Sequence, residues 1–487
     1  MTRTDLCLTV FLDQESRTVA PFLHRESRPT AHSRHTLRHV AERIIVPFSG
    51  EGSGVEELSW GQQEIWSAMR AQRSWLPIGV FQPLPAGTTI DQVAADLRYS
   101  MSRYQTMRTR LRIEPGGRTR QVVADAGEIA LDIVDAAADA DPATVAEQVR
   151  DGYYDAEFDF ERDWPVRVAV IRHRGALTHR VDVLSHLVTD GFGAMVLTEE
   201  IGRRDPATLA AVASPAGMQP MEQARWQRSP AGVRENQRAL RYWENLLRTM
   251  EPQRFTGSDD ERTPRHWQYQ FASPALHLAT RALGARTGVD ASPVMLAVFA
   301  MALTRVTGIN PVVVQLVVSN RFRRSLAESV SPVNQGGLCV VDVAGLTLDE
   351  AITHAAQRTL AAYKHAYYDP LLVDELIERI GRERGVELDL SCYVNDRRPF
   401  GGAGTRGPAP EPDQIRAALP ATTLVPVRQQ DDPWERLFVH IENVPGTMEL
   451  TVHADTRCLA PRDIEALCHG MEAVAVEAAL SATGATV

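Results

Sequence analysis

The chain has 487 residues, 44% hydrophobic and 23% charged, with 52 Lys and Arg against 62 Asp and Glu and a net charge of -10. That apolar fraction excludes a disordered chain, and the acidic balance argues against a nucleic-acid or anionic-membrane surface, whose footprint would be basic. At about 150 residues per domain the length allows roughly three units or two large lobes.

Lys364 is the only lysine; every other basic residue is arginine. Codon bias in a GC-rich genome is the expected reason, the alternative being a preference for the forked guanidinium in surface pairs. A lone lysine also disfavours Schiff-base chemistry, which needs a desolvated lysine in a pocket. The five cysteines, Cys7, Cys339, Cys392, Cys458 and Cys468, are scattered and form no CxxC pair. Zinc and iron–sulfur sites therefore lack their ligand spacing, and the usage suits a reducing cytosol. No run approaches the 18 apolar residues of a membrane span. The opening MTRTDLCLTVFLDQ is too short in its apolar core for a secretory signal. The expectation is a cytoplasmic protein with no metal, no membrane and no nucleic-acid partner.

Residues 1–41 lack periodicity and are expected to be a disordered extension; His35 and His39 share ligand spacing there but no carboxylate accompanies them. From Arg43 the pattern is globular. RIIVPF (43–48) reads as a strand, 49–54 as a loop, and Gln62 to Met69 as the opening of a helix. Residues 90–106 are helical, Pro115-Gly116-Gly117 turns between two strands, and 143–153 is helical again. VRVAVI (166–171) and HRVDVLSH (179–186) alternate as a hairpin about Gly175.

The Pro-, Ala- and Gln-rich stretch 205–235 reads as a linker, followed by a helix at 236–249. Ser292 is placed as N-cap and Pro293 as the first residue of the next helix, which Gly308 stops. PVVVQLVVS (311–319) is apolar throughout, hence a central strand covered on both faces. Residues 400–413 form a Gly/Pro-rich loop, 436–443 and 447–455 a hairpin, and 461–480 a terminal amphipathic helix.

The chemistry concentrates in Ser185-His186-Leu187-Val188-Thr189-Asp190-Gly191-Phe192-Gly193, where a strand ends and a helix begins. A neutral histidine past a strand can take a proton from an attacking amine or alcohol near neutral pH. Asp190 can fix the turn, and the glycines let the backbone bend. By itself HxxxDG is a weak signal. A metal site from His186 and Asp190 lacks an evident third ligand, which leaves a metal-dependent hydrolase the weakest alternative.

The neighbouring motifs add to it in order. Leu58-Ser59-Trp60-Gly61-Gln62-Gln63-Glu64-Ile65-Trp66, Arg103-Tyr104-Gln105-Thr106-Met107-Arg108-Thr109 and SHLVTDG are followed by Trp226-Gln227-Arg228 and Arg241–Leu247. Then come the helix at 293–306 with strand 311–319 and Asn320-Arg321, and Val333-Asn334. Over about residues 43–480 the chain resembles the condensation domains of nonribosomal peptide synthetases, within the chloramphenicol-acetyltransferase-like, CoA-dependent acyltransferase superfamily. Ser185 stands where that family has a first histidine, and Tyr104-Gln105 where it has His-Glu.

The resemblance implies an α/β fold of two α+β, two-layer sandwiches, chloramphenicol-acetyltransferase-like lobes in a V-shaped pseudo-dimer, spanning 42–215 and 216–487 with a tunnel between them. It makes His186 the residue assisting attack on a thioester, Asp190 a structural partner of Arg103, and Gly191 an amide donor toward the oxyanion. Ser185 supports the site, and Asn334 and Gln335 line the tunnel. Trp66, Thr109 and Trp243 are assigned to packing. No cofactor is held permanently. The acyl donor is phosphopantetheine-linked, on an acyl or peptidyl carrier protein, or CoA-linked, and the acceptor is a small-molecule amine or alcohol. Arg321, Arg323, Arg324, Arg397 and Arg398 are candidates for a carrier-binding patch. The function implied is a free-standing condensation-type acyltransferase of specialised peptide or polyketide metabolism. The alternatives are an acyl-CoA-dependent O-acyltransferase and a degenerate protein that only recruits carriers.

Overall fold

The computed structural model describes residues 40–203, 215, 217–398, 408–431 and 435–481. Most of the expected N-terminal extension, including His35 and His39, lies outside the described residues; Val40 already belongs to the first strand. The chain divides into two compact units, Met1–Val233 with Ser319–Asn334, and Arg234–Val318 with Gln335–Val487.

In chain order, unit 1 contains β1 (Val40–Ser49), β2 (Gly54–Glu57), α1 (Trp60–Gln72), β3 (Pro77–Pro83), α2 (Ile90–Arg103), β4 (Thr109–Ile113), β5 (Thr119–Val123), β6 (Ala126–Ala136), α3 (Pro142–Asp155), β7 (Val166–His173), β8 (Ala176–Ser185), α4 (Gly191–Arg203) and α5 (Pro220–Gln227). Its main sheet runs β1-β6-β7-β8-β3, parallel only between β6 and β7, and β2-β5-β4 form a smaller one. The period of two decides what each face covers. Ile129, Leu131, Ile133, Val166, Val168 and Val170 meet Val93, Leu97 and Met101 of α2 and Leu197 of α4. Ala169, Ile171, Val181 and Val183 meet Ala146, Val149 and Tyr153 of α3 on the other face. Helix α1 starts with a full capping box between Ser59 and Gln62.

Unit 2 takes in α6 (Pro230–Leu247, its first turn still in unit 1), β9 (His266–Ser273), α7 (Pro274–Thr287), α8 (Ala291–Thr307), β10 (Val312–Val318), β11 (Gln335–Val341), α9 (Leu348–Lys364), α10 (Pro370–Arg384), β12 (Cys392–Asp396), α11 (Pro412–Ala418), β13 (Thr423–Gln430), β14 (Leu437–Ile441), β15 (Met448–Asp455) and α12 (Pro461–Leu480). The sheet order is β11-β10-β12-β14-β15-β9-β13. Val312, Val314, Leu316 and Val318 enter the core with α7, α8, α9 and α12. Val313 and Leu338 pack on the opposite face with Trp243 of α6 and Ile380 of α10. Strand β10 is central, between β11 and β12. The five- and seven-stranded sheets thus each carry side-chain packing on both faces.

Two local expectations need correction. The stretch 205–235 contains two helices, α5 and the start of α6, where a linker was expected; α5 belongs to unit 1, so the break falls at 233/234, and the segment Ser319–Asn334 joins unit 1 as well. Ser292 is not the N-cap of α8: Asp290 is, and the Ser292 hydroxyl donates to Asp396 Oδ2 at 2.6 Å, a partner distant in sequence. Among the described residues no single helix is long and apolar enough to cross a membrane.

Candidate active site

Strand β8 ends at Ser185, and His186–Val188 turn before Asp190 opens α4. Backbone bonds fix this turn: His186 N–H donates to Leu76 O (3.1 Å) and Val188 N–H to Ser185 O (2.8 Å). Ser185 is fully buried, and its hydroxyl accepts Leu187 N–H at 3.3 Å and donates toward Trp75 O at 3.4 Å. The Ser185 side chain therefore braces the turn. From the short 3-10 turn that follows α2, the Thr106 hydroxyl donates to Val188 O at 2.6 Å.

Asp190 carries the densest set of bonds. Its Oδ1 accepts Gly193 N–H (2.9 Å), and its carbonyl accepts Ala194 N–H (2.9 Å), as an N-cap does. Oδ2 accepts Arg321 Nη1 (2.8 Å), Val333 N–H (3.0 Å) and Asn334 N–H (3.3 Å). The ion pair is buried, with side-chain exposures of 9% for Arg321 and 5% for Asp190. Arg321 further donates through Nη2 to Ser329 O (2.9 Å). Both carboxylate oxygens are committed to donors, so the carboxylate is not presented as a metal ligand.

The expected Asp190–Arg103 pair is thus corrected to Asp190–Arg321. Arg103 is bound instead to Glu200 of α4, together with the Tyr99 hydroxyl (2.7 Å) and the Tyr104 hydroxyl. Arg103 ends α2 and Glu200 lies well along α4, so the guanidinium serves that helix pair. Burial, then Glu200, raises the Tyr104 phenol above its ordinary pKa, keeping it a donor. Gln105 ties α5 down: Met221 N–H donates to its Oε1 (3.4 Å), and its own N–H donates to Gln219 Oε1 (3.0 Å).

Gln335 is also corrected. It is fully buried, and its carboxamide is spent on the Tyr368 backbone, donating to the carbonyl at 3.0 Å and accepting the N–H at 3.3 Å. Asn334 lies beside Asp190 through its backbone. Of the arginines considered for a carrier patch, Arg321 is internal, Arg397 pairs with Glu442 (3.1 Å) and Arg398 with Asp396 (2.6 Å). Trp66 and Trp243 are buried in apolar clusters, as expected of packing residues.

His186 is half-buried; its Nδ1 is enclosed without a hydrogen-bond partner among the described residues. Gly191 is exposed, and neither its amide nor that of Phe192 has an acceptor among the described residues. The positive end of α4 lies at these amides. The arrangement offers an imidazole on a braced turn beside uncommitted N–H donors, an arrangement able to take a proton and stabilise a developing anion.

The structure is thus a two-unit mixed α/β fold with a histidine on a strand-to-helix turn, five residues before the first residue of α4. The chain belongs to the condensation domain family, whose model matches residues 68–384. It is 27% identical over 335 residues to one of the linear gramicidin synthase proteins of Brevibacillus parabrevis, covering 63% of this chain and 6% of that protein. It is 28% identical over 302 residues to phosphinothricin tripeptide synthetase PhsC of Streptomyces viridochromogenes, covering 58% of this chain and 27% of that protein. The chain thus spans a minor part of these curated relatives. Among solved structures, the condensation domain for chain release from the enacyloxin polyketide synthase superposes with a TM-score of 0.66 at 18% identity, covering 90% of this chain and 86% of that one. The X-domain from teicoplanin biosynthesis gives 0.63 at 18%, covering 89% and 96%.

Proposed function

We propose that the chain is a condensation-type acyltransferase, forming an amide or ester from an acyl thioester on a phosphopantetheine arm, carried by a carrier protein or CoA. The observation supporting this reading is the Asp190 carboxylate, which accepts from Gly193, Arg321, Val333 and Asn334 and so braces the turn that carries His186. The acceptor N–H or O–H attacks the thioester carbonyl while His186 Nε2 takes its proton. The tetrahedral oxyanion is met by the amide at Gly191. Collapse expels the thiolate, which receives the proton back and leaves as thiol. General-base assistance of this kind contributes about 10²–10⁴-fold.

A second reading, a carrier-binding protein without turnover, draws on Ser185 and on the unpartnered Nδ1 of His186, which leaves the imidazole tautomer unfixed. One experiment decides. Intact-mass measurement of acyl loss from a loaded carrier, with a panel of amines and alcohols, is expected to fall at least about a hundredfold in His186→Ala. Equal turnover in that variant refutes the mechanism; carrier binding without turnover in the unaltered protein favours the second reading.

A further inference from the structure

A glycine persists in a fold for one of two internal reasons, a left-handed backbone or a neighbour too close for a Cβ. Around the candidate site the second reason recurs. A Cβ on Gly193 would lie 2.2 Å from Val330 O and 2.5 Å from Thr189 Oγ1, one on Gly61 2.2 Å from Pro332 O, and one on Gly217 2.3 Å from Glu328 C. Gly191 has neither reason. Its φ is not positive, and among the described residues a Cβ there would meet nothing within 4 Å. Alanine is also the better helix former by up to about 1 kcal/mol, and Gly191 is the first residue of α4. The fold makes no demand for glycine at 191.

The position is nonetheless the one directly after Asp190, exposed, and five residues beyond His186. We propose that Gly191 is a specificity-determining residue: the volume a Cβ would fill is occupied by substrate, so that side-chain size at 191 limits the bulk of the group brought to His186. This rests on the acyl-transfer reading above. Acyl chain and acceptor side chain are the two groups that can pass there, and they are told apart by testing each at graded size.

The test uses Gly191→Ala and Gly191→Val in the full chain. Both are expected to melt with the unaltered protein, since the added carbons enter open space. Binding is measured by calorimetry with unreactive pantetheine amides bearing acetyl, butyryl and octanoyl groups, and separately with glycinamide, leucinamide and tryptophanamide. In one of the two series, affinity for the largest probe falls roughly tenfold or more on adding a methyl, and further with valine, while the smallest probe is unaffected. A fall equal for small and large probes, no fall in either series, or no binding to the unaltered protein overturns the proposal. Turnover that survives His186→Ala would refute the mechanism while leaving this size dependence to be read independently.

Discussion

Asp190 and Arg321 are 131 positions apart, and each is buried with few alternatives. A buried carboxylate left without its cation keeps most of its desolvation cost, so Arg321→Ala is expected to destabilise the protein by about 3–5 kcal/mol in chemical denaturation. Asp190→Ala should cost a comparable amount, and the double variant markedly less than the two together. Additive losses would mean the two side chains act separately. The carboxylate's need for a cation could be read from the motif, but not its source. Arg103 is nearer in sequence, whereas Arg321 arrives through a segment whose path depends on the tertiary fold. The SHLVTDG motif marked the strand-to-helix turn, while Thr106, which holds Val188 from outside it, carried no signal in sequence.

Elements that depend on local chemistry were legible in the sequence; those that depend on distant partners were not. Helix α12 has the expected bounds 461–480, and α8 stops at Gly308 in a left-handed conformation. The hairpin β14–β15 was likewise evident from its alternation, but the consequence of its other face was not. His440 and His453 lie on that face, their rings 5.5 Å apart, with Arg397 and Arg428 near. Burial, then Arg397 and Arg428, pushes His453 down to about 3, and burial, then Arg397, pushes His440 well below its ordinary value. Both are neutral in the folded state and become protonated on unfolding once the pH falls below about 6.5. Their contribution to stability is thus intact above that pH and is lost as it falls toward the folded-state value. His453→Gln should flatten the decline in unfolding free energy between pH 6.5 and 4; an unchanged slope would place the titration elsewhere. On α4, Gly193→Ala should lower the melting temperature by several degrees, because Val330 O is backbone and cannot turn away.

At the scale of the molecule, the segment Ser319–Asn334 departs from chain order: it leaves at the end of β10, belongs to unit 1, and returns as β11. It brings Arg321, Val333 N–H and Asn334 N–H to Asp190, and Ser331, whose hydroxyl accepts Gln223 Nε2 at 2.9 Å. Length allowed two lobes but gave no sign that each unit is assembled from two stretches of chain. The consequence is measurable. A fragment of residues 40–233 contains the whole motif yet leaves the Asp190 Oδ2 unpaired and Gly61, Gly193 and Gly217 facing an empty track. It is expected to lack a cooperative thermal transition and to exchange the amides of residues 187–194 rapidly. Joining residues 319–334 to its C-terminus through a flexible linker should restore both the transition and the protection, and replacing Arg321 by alanine in that fusion should remove much of the gain. A fragment ending at Val233 that melts sharply, with those amides protected, would show that the loop is held without the inserted segment.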